Sequence, residues 1–406
     1  MLRNISVFYI LISASQFFWF ALVPKNLILM VAFGAIMLML VVVLLGLIYD
    51  PSRRFEQNFT YEISLIFISI LLSTFGAKWG HDQNFMLTAW AQRMMYFYLF
   101  YFFLHTIRIR PEDLEKLIII IAVIYIVIFL IQYVSYPRML FGTRADEERG
   151  TIRIFLPAKA FVVMVYFYCL QEFFAKLKLK YALFCVAAIA VTILQGTRTP
   201  LALLFLGTII MLILSKRVQS KMLIAFLLIV GAASIMVIFQ DIFLNLLEVS
   251  EEQSAKEGDD IRVKAAKFFL YEFPPTPLNY IIGNGESHMA SAYGMRIWYY
   301  KVDFGYFQND IGLLGEYTKY GILYVIAVIL IVRKILAMKI DPKYMYFKYY
   351  IFISLIGMIM GGIFARSDAF TTILAIMYII DIDRHDKKYK YLEKKQKKLQ
   401  TQPVHD

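Results

Sequence analysis

Arginine is the residue type in this chain best suited to recognising a phosphate. Arg144, Arg149 and Arg153 stand together before an apolar run, and Arg198 sits in Gln195-Gly196-Thr197-Arg198-Thr199-Pro200 between two such runs. Arg262 and Arg296 lie in the longest polar segment, and Arg366 in the turn Ala365-Arg366-Ser367-Asp368. A guanidinium stays charged and grips phosphate oxygens in bidentate fashion. Several converging at one membrane face would suit a pyrophosphate head whose lipid tail stays in the bilayer. The plainer reading of any one of them is a long side chain snorkelling to lipid phosphates. Asp310, in Gln308-Asn309-Asp310, is the candidate general base, with His288 beside Gly283-Asn284-Gly285 in reserve. The aromatic stretch Trp298, Tyr299, Tyr300, Phe304, Tyr306 and Phe307 offers flat rings to sugar faces, and reads equally well as an interfacial aromatic belt.

The elements that must position these groups follow from composition. Of 406 residues, 60% are hydrophobic, 17% aromatic and only 18% charged, with a mean hydropathy of +0.63. That is more apolar surface than soluble cores of this size can bury, and it excludes both a soluble enzyme and a disordered chain. The expected fold class is an all-α polytopic membrane protein. Cys169 and Cys185 lie inside apolar runs, so neither a disulfide framework nor a cysteine-based zinc site is expected. The first apolar run has no small-residue cleavage site after it and reads as a retained span.

A bilayer core needs roughly 20 apolar helical residues, and that window gives about twelve spans. Their cores are 5–23, 27–49, 61–76, 89–107, 114–136, 153–174, 181–194, 200–214, 222–239, 311–332, 350–364 and 369–380. With the N-terminus inside, the inner connections and the tail hold about 25 of the 42 basic residues, as the positive-inside rule requires. The net charge of +12 is thereby assigned to orientation and anionic lipid rather than to nucleic acid. The expected organisation is spans one to nine over 1–240, a large outer loop over 241–310, spans ten to twelve over 311–382 and a basic inner tail over 383–406.

Within the loop, Asp259-Asp260 open a helical stretch bearing Phe268 and Phe269, and Phe273-Pro274-Pro275-Thr276-Pro277 ends it. There is no P-loop, no H-E-x-x-H and no G-x-S-x-G. The acidic runs Asp146-Glu147-Glu148, Glu251-Glu252 and Asp259-Asp260 read as solvated or helix-capping charge rather than as a cation site, so no metal or cofactor is assigned. Glu316 and Lys319, one helical turn apart, are expected to neutralise each other. Arg93 and Lys159 sit about a turn inside the outer boundary, where they would snorkel or line a cavity.

Taken in order, these features resemble the O-antigen polymerase and ligase superfamily, in particular the Wzy-type polymerases of O-antigen, capsule and exopolysaccharide pathways. The likeness rests on one large outer loop towards the C-terminal end and on four short motifs on the outer face. Arg149-Gly150-Thr151-Ile152-Arg153 looks like the family's arginine segment, and Gly196-Thr197-Arg198-Thr199 like its small-residue–arginine turn opening a span. Arg262 followed by Gly283-Asn284-Gly285, and then Gln308-Asn309-Asp310-Ile311-Gly312 through Gly321, complete the order. Ligases tend to carry a histidine where Asn309-Asp310 stands, which favours a polymerase.

The resemblance implies a metal-independent glycosyltransferase of the bacterial inner membrane, working on its outer face with both chain termini in the cytoplasm. Its donor and acceptor would be oligosaccharide repeat units linked to undecaprenyl pyrophosphate, with a separate protein regulating chain length. Arg153, Arg198 and Arg262 would stabilise the departing pyrophosphate and Asp310 would assist the acceptor hydroxyl. Arg149, Arg366, His288, Trp298, Tyr299, Tyr300 and Asn309 would bind substrate. An O-antigen ligase, or a lipid-glycan flippase or transporter, is the alternative.

Overall fold

The computed structural model describes residues 1–49, 57–148, 151–196, 198–214, 260–358 and 366–400. They form α1 Leu2–Ala14, α2 Lys25–Tyr49, α3 Thr60–His81, α4 Phe85–Ala91, α5 Leu99–Ile107, α6 Pro111–Ser135, a hairpin of β1 Ala145–Glu148 and β2 Thr151–Ile154, α7 Lys159–Lys176, α8 Leu179–Leu194 and α9 Arg198–Leu214. Beyond the expected ninth span follow α10 Ile261–Lys267, α11 Asn279–Ile282, α12 Ala292–Asp303, α13 Leu313–Tyr320, α14 Ile322–Ala337, α15 Met345–Gly357 and α16 Ser367–Gln400. Among the described residues α2, α3 and α6 are long and apolar enough to cross a membrane, and α1, α8 and most of α9 are shorter apolar helices. The ninth expected span, 222–239, lies outside the described residues.

Local chemistry sets the helix ends. Pro111 opens α6 with Glu112 and Asp113 in its first turn, where the missing N–H costs nothing and the dipole favours negative charge. At the far end of α3, Asp82 adopts the left-handed conformation that closes a helix, behind Lys78 and His81 in the last turn.

Side-chain contacts define two ends of the bundle. At one, buried Asp381 on α16 accepts from the Asn58 side chain at 2.7 Å and from Tyr101 on α5, and lies 3.3 Å from His105. Lys334 on α14 joins them by pairing with Glu62 at 2.7 Å. At the other end α16 begins with Ser367, whose hydroxyl donates to the Ala14 carbonyl at 2.7 Å. There too α3 ends against residues 279–291, and the hairpin and the starts of α7 and α9 lie at this end.

Several expected boundaries move. The first span was expected over 5–23, but α1 stops at Ala14 and Gln16–Trp19 turns at positive φ. Backbone pairing takes over here: Gly142 donates to Phe18 and Ala21 to Leu140. The sixth span was expected from 153, but Thr151-Ile152-Arg153-Ile154 is a strand paired antiparallel with Ala145–Glu148, and α7 begins only at Lys159. The all-α expectation therefore carries one two-stranded exception among the described residues. The tenth span divides at Gly321, where φ is +80° and a Cβ would lie 2.3 Å from the Ile281 carbonyl oxygen. The last helix runs through position 382 to Gln400, so no helix boundary separates span from tail.

Residues 260–311 form a module with its own small core of Ala265, Phe269, Phe273, Tyr293 and Ile311. Asp260 caps α10 by accepting from the Arg262 N–H at 2.7 Å, and the helical stretch stops at the prolines as the sequence predicts, widening into a π turn over Phe268–Glu272 just before them.

Candidate functional site

Two polar centres sit at the end of the bundle that carries this module. The first joins three segments far apart in sequence. Thr151 anchors β2 by donating its hydroxyl to the Leu194 carbonyl at 2.6 Å, which holds Arg153 beside the end of α8. The Arg153 guanidinium stacks over Phe155 at 4.9 Å. Lys159, at the first turn of α7, donates to the Gln195 side-chain oxygen, and Gln195 donates on to the buried Tyr125 hydroxyl at 2.6 Å. Both Arg153 and Arg366 lie within electrostatic reach of the Lys159 ammonium. Arg366 donates to Asp368 at 3.1 Å, and Asp368 also accepts from the Ala160 N–H at 3.2 Å. Arg153, Lys159, Arg366 and Asp368 are thus gathered on a floor of buried Tyr125 and Gln195. Charge of one sign held together in an apolar bundle costs stability unless it meets an anion.

The second centre lies where the module meets α3 and α13. Gly76 and Gly80 give α3 a bare face, and a Cβ on Gly76 would come within 2.0 Å of the Gly283 carbonyl oxygen. Gly283 and Gly285 both take positive φ, and Asn284 and Gly285 donate their N–H groups to the Thr318 and Lys319 carbonyls. This fixes Glu286. Its carboxylate accepts from Lys319 at 2.9 Å and from the Tyr320 hydroxyl at 2.7 Å, while its carbonyl accepts from Gln83 at 2.8 Å. Lys319 donates as well to Asn309 at 2.7 Å, and Arg93 lies within electrostatic reach of Glu286.

His81 locks the two sides together, stacked on Tyr293 at 4.2 Å and on Phe273 at 5.0 Å. Arg296 can only donate to its Nδ1, so the ring is neutral with the proton on Nε2, which donates to Asn284 Oδ1 at 2.8 Å. Burial pushes the Tyr293 phenol above its ordinary value, so it stays neutral and donates to the Gly285 carbonyl at 3.1 Å.

Of the residues singled out by sequence, Arg153 and Arg366 meet at the first centre. Arg198 starts α9 three positions after Gln195, but its side chain lies outside the described residues, and Arg149 lies outside them altogether. Arg262 and Asp310 are exposed on the module. His288 is half-buried: its backbone N–H donates to the Gln83 side-chain oxygen at 2.9 Å, and its ring Nδ1 accepts from the Ala290 N–H at 3.1 Å. Asn309 belongs to the second centre. Trp298 and Tyr299 point outward from α12, and Tyr300 turns in against Phe268 at 4.4 Å. The expected Glu316–Lys319 pair is corrected: Lys319 reaches Glu286, and Glu316 faces Tyr98, Tyr320 and Tyr324 instead. A helix turn brings the first pair near each other, but the Gly283–Gly285 close approach brings Glu286 nearer still. Sequence reasoning gave no role to Gln195, Asp368 and Tyr320, although each lies inside a quoted motif, nor to Tyr125 and Glu286, which lie outside them.

These features define a largely helical protein whose apolar helices are compatible with membrane insertion, with a compact loop module and two polar centres at one end. No protein-family model matches the chain, and no curated protein matches it.

Proposed function

We propose that the chain is a polymerase of lipid-linked oligosaccharide repeat units, of the Wzy type that its motifs resemble. In this reading it is a bacterial inner-membrane protein of about twelve spans with both ends in the cytoplasm, and the loop module faces the periplasm. It moves a glycan en bloc from undecaprenyl pyrophosphate to the sugar end of a second lipid-linked repeat, building O-antigen, capsule or exopolysaccharide. The glycosyl–pyrophosphate bond supplies the energy, so the reaction calls for no nucleotide.

The observation that carries the reading is the convergence of Arg153, Lys159 and Arg366 on the Tyr125–Gln195–Asp368 floor. Negative charge grows on the pyrophosphate as it departs. Cations already in place bind that charge more tightly than the ground state and lower the barrier without reorganising. Arg198, opening α9 beside this floor, and Arg262 on the module are the further arginines of the reading.

The test is complementation. In a strain lacking its own polymerase, the wild-type chain should restore a ladder of long glycans. Arg153→Ala or Arg366→Ala should insert normally yet leave single-repeat glycans. Long polymer from both variants would remove the first centre from the mechanism. A ladder-free wild type would remove the polymerase reading, and transfer to a lipid A-core acceptor would identify a ligase. A transporter is favoured by one observation, the ionisable groups Asp381, His105 and Glu62 buried among the helices. Movement of labelled lipid-linked sugar across liposomes without joining of repeats would establish it.

A further inference from the structure

We infer that Glu286 is the base that takes the proton from the acceptor hydroxyl, the role that the sequence pattern gives to Asp310. The inference rests on the polymerase reading and assigns a residue within it.

The reaction needs a carboxylate held still, ionised and reachable. Asp310 is exposed on a single 3₁₀ turn, and its backbone N–H to the Phe307 carbonyl is what fixes it. Glu286 is held from three sides. Gln83 holds its carbonyl, Lys319 takes one carboxylate oxygen and Tyr320 the other. An ionised carboxylate offers roughly four lone-pair directions, and these donors occupy two. The group keeps 28% of its side chain exposed, so an acceptor hydroxyl can reach an open direction on either oxygen. Lys319 stands against the carboxylate as its counter-ion at 2.9 Å.

Two neighbours prepare the same place for a ligand. The Nε of Arg93, within electrostatic reach of Glu286, is buried and has no hydrogen-bond partner among the described residues. A buried donor of that kind is costly unless a ligand or water completes it. The second neighbour is α12, which carries Trp298 and Tyr299 and is tied to the Glu286 turn through Tyr293 and the Gly285 carbonyl. A sugar resting on that helix would be registered against the carboxylate.

The step balances as follows. The acceptor O–H gives its proton to Glu286 as its oxygen bonds to the donor's anomeric carbon. The bond from that carbon to the pyrophosphate oxygen breaks, and undecaprenyl pyrophosphate leaves with the electron pair. Glu286 then returns its proton to solvent.

The experiment uses the full chain, in the polymerase-deficient strain and purified with lipid-pyrophosphate-linked glycan as donor and acceptor. Glu286→Gln keeps an oxygen for Lys319 and a group for Tyr320, and should insert like the wild type while melting at a somewhat lower temperature. It should lose about 100-fold or more in the rate of joining, with donor binding preserved and the acid limb of the pH–rate profile abolished. A wild-type rate and pH profile for Glu286→Gln would overturn the inference, as would a residual rate that keeps the acid limb, since Glu286 would then be only structural. Should Glu286→Gln fail to insert, Glu286→Asp carries the test: a lost ladder from inserted protein supports the role and a full ladder overturns it. A wild type that joins no repeats overturns the proposed function, and with it this inference.

Discussion

Lys319 closes its ion pair with Glu286, 33 positions earlier in the chain, at 2.9 Å, although Glu316 stands a single turn away on the same helix. The pair is the clasp between the loop module and the bundle. Lys319 is buried, and Glu286 has one face open to solvent.

Lys319→Met should therefore destabilise the protein by about 1–3 kcal/mol, since it strips a partly buried carboxylate of its charged donor. Thermal melting in detergent reads this directly. Adding Glu286→Gln to that variant should recover part of the loss, with a coupling of about 1 kcal/mol in the double-mutant cycle. Strictly additive variants would mean that the pair contributes nothing to docking the module.

At the first centre, Arg366→Ala should cut repeat joining by about 100-fold or more, the usual cost of removing one preplaced charge donor from a transition state. Arg366→Lys should recover only a small share of it, because an ammonium cannot reproduce two parallel N–H bonds to a phosphate. Glycan ladders from inserted variants, quantified against wild type, check both. Full recovery by lysine would show that charge alone matters.

The membrane-helix character and the loop module were legible because both depend on local pattern: apolar runs in one case, Asp260, the proline stop and the Gly283-Asn284-Gly285 turn in the other. Arg153 and Arg366 stood out by residue type, and their meeting place did not, since it depends on how β2, α7 and α16 pack. The strand at 151–154 was hidden beneath a hydrophobic run that scores equally well as helix. Glu286 carried no signal at all. Its significance comes from partners at 83, 319 and 320, and only tertiary contact brings those together.

Gly76→Ala should separate module from bundle. The added Cβ would meet the Gly283 carbonyl oxygen at 2.0 Å, closer than atoms can stand, and that oxygen belongs to backbone rather than to a flexible side chain. The expected result is an inserted protein whose module is cleaved by trypsin at Lys264, Lys267 or Arg296 far faster than in wild type, with the glycan ladder lost. Unchanged proteolysis would show that the interface can yield by that distance.

Trp298 and Tyr299 distinguish a sugar platform from a lipid belt. Their side chains are exposed on α12, and the Lys301 ammonium sits 5.0 Å over the Trp298 ring, an exposed cation–π contact of about 0.5–1 kcal/mol. Truncating either ring should move stability by no more than about 1 kcal/mol, the size of that contact. A ring stacked on a sugar contributes to binding the ground state and the transition state alike, so its loss should raise KM about tenfold while leaving kcat in place. A ring seated among lipid headgroups contributes nothing to the sugar: Trp298→Ala would then keep its KM, and the wild-type tryptophan's fluorescence would answer to lipid-borne quenchers instead of to added repeat unit. The prediction is the former, because the helix bearing these rings is pinned through Tyr293 to the Gly285 carbonyl, beside the carboxylate that the acceptor must reach.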